Sequence, residues 1–387
     1  MSMLLRRHGR SSEALSAGQS SAVGMDAYVQ MESPPCVMYG PPATSTGSIA
    51  SGLLVADVKV PLLDVEVVNL ELIKKQTNKR SPHLSCPHCC KNVERLQVWQ
   101  FVSARTSLTK GKTTWPFSAL IPGHMPHSFE CCTVKVEYYF KATFIFSPTS
   151  KLEKRHPIEI RRSILPSTPK SFQRLFPPTS LNVTLQTPNV VHPSSYIPVT
   201  FQLTGFKEPN SSTSWAVSRI SWRIEERIKT TIRSCHGHDD ADKVHTYQDT
   251  RILGTNDYKR GWKIDNDRLL FELPLSFALD ARYVCDLRLN CGNTELDISH
   301  CLVLELVMIE VVGSQPVDSN ARLLRMKVKL VVTTQPGLGV SWDEECPPLF
   351  DSVGPSPPCY DEVVESPTNE SPREPSAPNA MCNCPCP

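Results

Sequence analysis

The chain has 387 residues, 40% hydrophobic, 7% aromatic and 21% charged, with a net charge of +2. That length suits two ordinary domains plus tails, and 34 prolines against 17 glycines argue against long helices. No stretch supplies the ~18 apolar residues of a membrane-spanning helix, because the longest apolar run, Cys301 to Met308, contains Glu305.

Residues 1–50 are rich in Ser, Gly, Ala and Pro without periodicity, which predicts a disordered N-terminal tail. Their opening carries Arg6, Arg7 and Arg10 but no apolar region of a secretory signal. The 15 cysteines then read as reduced thiols of a cytosolic protein, and the sequons at Asn182 and Asn210 as chance matches.

From residue 51 the dominant period is two. Strands are predicted at 53–60, 62–73, 94–104 and 113–120. The pattern is clearest in Thr133 to Phe146, where Val134, Val136, Tyr138, Phe140, Ala142 and Phe144 share one face. A further strand is expected at 157–164. Leu165-Pro166-Ser167-Thr168-Pro169 and Phe176-Pro177-Pro178-Thr179 mark residues 166–178 as an extended linker. Beyond it, strands are predicted at 181–186, 197–204, 247–254, 269–275, 301–312 and 322–332. In the segment around Trp222, Ile224, Ile228 and Ile232, Glu226 breaks the apolar face.

No segment sustains a 3.6 period over 12 residues. The chain therefore reads as all-β: two tandem antiparallel β-sandwiches, at 51–165 and 179–336, between disordered tails. Residues 337–387 form the second tail, Pro-rich and acidic. Residues 341 onward carry −8 and the first fifty carry zero, so 51–340 carry +10. A basic body with an acidic tail fits an anionic membrane surface or an acidic peptide as partner, and equally fits simple solubility.

Two tandem β-sandwiches ahead of a tail containing Pro357-Pro358-Cys359-Tyr360 resemble the α-arrestins. Leu120-Ile121-Pro122-Gly123-His124-Met125-Pro126, followed by Tyr138-Tyr139-Phe140-Lys141-Ala142, resembles the N-terminal arrestin domain. Val217-Ser218-Arg219-Ile220-Ser221-Trp222-Arg223-Ile224-Glu225-Glu226 and Gly261-Trp262-Lys263-Ile264-Asp265 are similar to fungal arrestin-related trafficking adaptors of the low-dye-binding branch. The resemblance covers residues 50–360 and implies an arrestin-like adaptor, not an enzyme. Such adaptors recognise the cytosolic tails of plasma-membrane transporters, recruit a WW-domain HECT-type ubiquitin ligase, and promote ubiquitination and endocytosis. The implied location is the cytoplasm, with recruitment to the plasma membrane and to endosome or Golgi. A ligase-independent cargo-sorting scaffold and a zinc-stabilised signalling module are the alternatives.

The docking residues are Pro357, Pro358 and Tyr360. The prolines hold the peptide in polyproline II at little entropic cost and stack in an aromatic groove, while Tyr360 fills a second pocket. Pro347, Pro348 and Phe350 repeat the frame without the hydroxyl. They read either as a weakened second docking site or as ordinary tail sequence.

Cys86-Pro87-His88-Cys89 has the spacing of a zinc knuckle. Cys131 and Cys132, or His124 and His127, are the candidates to complete it, and reduced thiols in a loop are the other reading. No cofactor is otherwise expected. His236-Gly237-His238-Asp239-Asp240 reads as a surface loop. The C-terminal Cys382, Cys384 and Cys386 lack the aliphatic context of prenylation, which leaves palmitoylation or metal binding as minor readings. Lys110-Gly111-Lys112-Thr113 is not a P-loop, since Thr106 stands where a glycine is required. The basic run from Lys151 to Arg174 suggests phospholipid contact through Lys154, Arg155, Arg161 and Arg162, or a solvated face. It carries no aromatic stacking platform, which argues against nucleic acid.

Overall fold

A computed structural model describes residues 24–335, apart from breaks at 166–167, 195–196, 208–211, 236, 239–242, 266, 279–280 and 313–314. The first half holds β1 (Met25–Met31), β2 (Cys36–Tyr39), β3 (Ser48–Val65), β4 (Val67–Asn78), a single helical turn α1 (Pro87–Cys90), β5 (Lys91–Val102), β6 (Thr106–Ile121), β7 (Phe129–Glu130), β8 (Val134–Ser147), β9 (Ser150–Ile158) and β10 (Ile160–Ser163). One sheet has the order β1-β3-β6. The other has the order β5-β4-β8-β7, with β9 also on β8. All these ladders are antiparallel, and a short parallel pair, β2 with β10, lies beside them.

The inward faces of both sheets supply one core. Alternation in β8 buries Val134, Val136, Tyr138, Phe140, Ala142 and Phe144, as their spacing predicts. Phe140 meets Phe117 of β6 with ring centroids 4.7 Å apart, and Trp99 of β5 lies 5.6 Å from Phe117. Tilted aromatic pairs of this kind add to the area they bury.

The second half holds β11 (Lys170–Leu175), β12 (Asn182–Thr187), β13 (Val190–Val191), β14 (Ile197–Thr204), β15 (Thr213–Arg233), β16 (Val244–Tyr258), β17 (Lys263–Asp265), β18 (Arg268–Leu275), β19 (Leu287–Cys291), β20 (Thr294–Val312) and β21 (Gln315–Val332). Its sheets run β11-β12-β14-β18-β17 and β13-β21-β20-β15-β16, with β19 also on β20. Phe201, Leu203 and Leu273 of the one meet Trp222, Leu304 and Val328 of the other in a second core.

The cores join along two long strands. On β15, Trp222 and Ile224 belong to the second core and Ile228 to the first. On its neighbour β20, Leu302 and Leu304 belong to the second and Leu296 and Ile298 to the first. Glu226 and His300 are ladder partners at the changeover.

Two expectations about the chain's edges are corrected. The tail read across 1–50 already contains β1 and β2 and the start of β3. Met25, Ala27 and Val29 point inward from β1, but three small steps of alternation in a Ser/Gly-rich stretch are a weak signal until β3 supplies the ladder. The linker read across 166–178 contains β11, which pairs with β12 of the second half. Only Phe172 and Phe176 pack on that core, so the sequence shows little hydrophobic pattern there.

The Pro122-Gly123 turn passes close to the segment before β3. A Cβ on Gly123 would lie 1.9 Å from the Ser45 carbonyl oxygen, so backbone must move to accept it. Gly123→Ala is expected to cost about 1–3 kcal/mol, read as a lower urea midpoint at unchanged m-value.

Candidate functional site

Four metal-ligating side chains from distant parts of the sequence converge. Between β4 and β5 the chain winds through residues 79–90. Asn78 Nδ2 donates to the Cys89 carbonyl at 2.9 Å, and the Cys90 thiol donates to the carbonyls of His83 and Leu84 at 3.2 Å each. This fixes Cys86 and Cys89 at the two ends of one helical turn. Opposite them, the β15–β16 connection carries Cys235 and His238. The ligand atoms of Cys86, Cys89, Cys235 and His238 all lie within 4.8 Å of one another.

Cys86 Sγ is 3.8 Å from Cys235 Sγ, and the Cys235 backbone N–H donates to Cys89 Sγ at 3.5 Å. The His238 ring stacks on His83, with centroids 3.7 Å apart and planes 12° apart. Its Nε2 is sealed from solvent and has no hydrogen-bond partner among the described residues. The Cys89 backbone N–H, then His238, pushes the Cys86 thiol down to about 6, whereas burial pushes Cys89 up to about 11.

Cys131 and Cys132 are not members of this group. Cys131 is buried and accepts the Val134 N–H at 3.3 Å, within the turn into β8. His127 is also buried, and desolvation, with Arg162 beside it, pushes it down to about 4. The structure thus places Cys86 and Cys89 with His238, read from the sequence as part of a surface loop, and with Cys235, which the sequence reading does not single out. The signal for them is a C-x₂-H spacing, and its weakness is that 149 residues separate Cys86 from Cys235.

A second constellation is buried at the changeover between the cores. Glu226 has no exposed surface and His300 is 2% exposed. Arg251 of β16 donates to Glu226 from both Nε, at 3.0 Å, and a terminal nitrogen, while the Val284 N–H donates to the other oxygen at 2.9 Å. His300 Nε2 lies 3.5 Å from that oxygen, and its Nδ1 lies 2.8 Å from Asp286 Oδ2. Desolvation opposes ionisation of Glu226, but His300, Arg251 and the Val284 N–H outweigh it and hold the carboxyl below its ordinary value. Desolvation likewise disfavours the His300 cation, but the two carboxylates prevail and raise its pKa.

The basic stretch divides in the folded chain. On β10 Ile160 and Arg162 point inward and Arg161 outward. Arg162 is 2% exposed, so its proposed role in phospholipid contact is corrected: no headgroup reaches it. Its guanidinium donates instead to the carbonyls of Gly40, Gly123 and Met125. Arg161 is paired with Glu159 at 2.8 Å, Lys154 lies 3.4 Å from Asp26, and Arg155 lies over the Tyr139 ring at 5.3 Å. Among the described residues no helix is long and apolar enough to cross a membrane. The Pro347-Pro348-Leu349-Phe350 and Pro357-Pro358-Cys359-Tyr360 segments lie outside the described residues.

Residues 68–242 match the protein family described as "LDB19: Arrestin_N terminal like". The chain is 45% identical to an uncharacterized protein of Schizosaccharomyces pombe, over 90% of this chain and 92% of the relative. It is 35% identical to a second uncharacterized protein of that organism, over 86% of this chain and 94% of the relative. It is also 31% identical to Protein LDB19 of Eremothecium gossypii, over 58% of this chain and 34% of that longer protein.

Proposed function

Because this chain belongs to the LDB19 family of arrestin-like proteins, we propose that it is an adaptor that brings a WW-domain HECT-type ubiquitin ligase to membrane transporters. The observation that carries the reading is Pro357-Pro358-Cys359-Tyr360, placed after a double-sandwich body in a stretch holding many of the chain's prolines. Residues 336 onward contain 12 of the 34 prolines. Two adjacent prolines favour polyproline II, the form that a WW-domain groove accepts. Pro357 and Pro358 enter the aromatic groove and Tyr360 the adjoining pocket, with its hydroxyl free to hydrogen-bond there.

The body supplies the other half of the role. Its net positive charge suits the cytosolic tails of transporters that present acidic segments. Of the four residues named for phospholipid contact, Arg155 and Arg161 point outward and are free to meet anionic headgroups. Pro347, Pro348 and Phe350 would add a weaker second contact through avidity when the ligase carries tandem WW domains. Delivery to endocytosis then follows from ubiquitination of the bound transporter, and no catalytic step is assigned to this chain.

The test is capture of the full chain by isolated WW domains of a HECT-type ligase. Tyr360→Ala is expected to reduce capture by more than about tenfold, as loss of a central aromatic anchor does. Equal capture of wild type and variant would refute ligase docking and leave a cargo-sorting scaffold.

A further inference from the structure

We propose that Cys86, Cys89, Cys235 and His238 bind one zinc ion that clasps the two sandwiches together. The donor set is three thiols and one imidazole, a combination that suits zinc and excludes calcium and magnesium, which take oxygen ligands. Zinc bonded to sulfur at about 2.3 Å in a tetrahedron sets its sulfurs about 3.8 Å apart. Cys86 Sγ and Cys235 Sγ already stand at 3.8 Å, and no pair of ligand atoms in the group exceeds 4.8 Å. A contraction of less than about 1 Å closes the shell around a tetrahedral ion. A disulfide would need about 2.05 Å, and the cysteines of the group are all free.

The surroundings also fit an ion-binding shell. The Cys235 N–H points at Cys89 Sγ, the kind of backbone donor that supports a metal-bound thiolate. The unpartnered Nε2 of His238 leaves its ring with hydrogen-bonding capacity that no described residue uses. Cys90 is excluded as a ligand because its thiol is turned to the carbonyls of His83 and Leu84. Deprotonated cysteines would carry three negative charges, of which the divalent ion offsets two.

The ion's consequence lies in where its ligands come from. Cys86 and Cys89 belong to the β4–β5 connection of the first sandwich, and Cys235 and His238 to the β15–β16 connection of the second. Thr133 and Thr230 share a hydrogen bond of 2.7 Å between the same two halves. A bound ion therefore fixes the two loops to each other and, through them, one sandwich to the other.

Elemental analysis of the full chain, purified without chelator, is expected to find about one zinc per molecule. Cys235→Ser and His238→Ala should each reduce it at least fivefold, whereas Cys131→Ser and Cys132→Ser should leave it unchanged. Wild-type chain stripped of metal and titrated with cobalt separates loss of the ion from failure to fold. It is expected to develop the d–d absorption of a tetrahedral thiolate site. Metal addition should slow hydrogen exchange in both 79–90 and 234–243. Absence of zinc from wild type together with absence of the cobalt band would overturn the site, as would zinc retained by both cluster variants. Protection confined to one loop would overturn the clasp.

Discussion

Glu226→Ala is expected to lower the unfolding free energy by about 3–5 kcal/mol, because it leaves the Arg251 guanidinium and His300 facing a site that has lost its buried carboxylate. Arg251 would keep no acid in its hydrogen-bonding shell, and the Val284 N–H would lose its acceptor. Glu226→Gln preserves one acceptor oxygen and the side-chain volume, so a smaller loss is expected. Urea denaturation of the three proteins measures the order. The same network fixes a pH dependence. Glu226, held below 4.5, stabilises the fold fully above that value, and its contribution is lost as pH falls through the folded pKa. His300, raised above 6.5, stabilises fully below 6.5 and loses its contribution as pH rises through the folded value. Both contributions are whole only between about pH 4.5 and 6.5. The urea midpoint is therefore expected to fall on going from pH 6 to alkaline pH, and His300→Gln should flatten that fall. An unchanged slope in the variant would remove His300 as its source.

Arg162→Ala is expected to destabilise by about 3 kcal/mol or more, since it strands three carbonyl acceptors, two of them in buried contacts, as well as vacating side-chain volume. Those carbonyls belong to Gly40, Gly123 and Met125, so one guanidinium ties the turn after β2 to the Pro-Gly turn after β6. Burial pushes its pKa down to about 10, and it stays charged at neutral pH. Arg162→Lys should recover little, because a compact ammonium cannot span three acceptors as a planar fork does. Arg161→Ala, one residue away and on the solvent side, should change stability by no more than about 0.5 kcal/mol. Thermal unfolding of the three variants compares neighbouring arginines that the sequence presents as equivalent.

Period-two patterning was legible wherever a strand pairs on both sides and buries one face, as β8 does with Phe140 and Phe144. It failed for β1 and β11, whose inward residues are few and whose order depends on partners distant in sequence. Charged residues in the apolar period carried more information than their apolar neighbours. Glu226 follows Ile224 by two and precedes Ile228 by two, and the structure turns it inward to the His300–Asp286 pair. Arg162 stands two residues from Ile160 on the same inward face, so treating it as one of a basic run missed the alternation. The thiol cluster was half legible. The Cys86–Cys89 spacing announces a ligand pair, but only the packing of one sandwich on the other brings Cys235 and His238 to it.

The long strands β15 and β20 tie the two halves together, because each strand supplies side chains to both cores. A cut near residue 165 would strip Ile228, Leu296 and Ile298 of the side chains they pack against, and would leave part of the first core's wall in the wrong fragment. Exchange of one half for that of a distant relative meets the same obstacle, since the seam is shared.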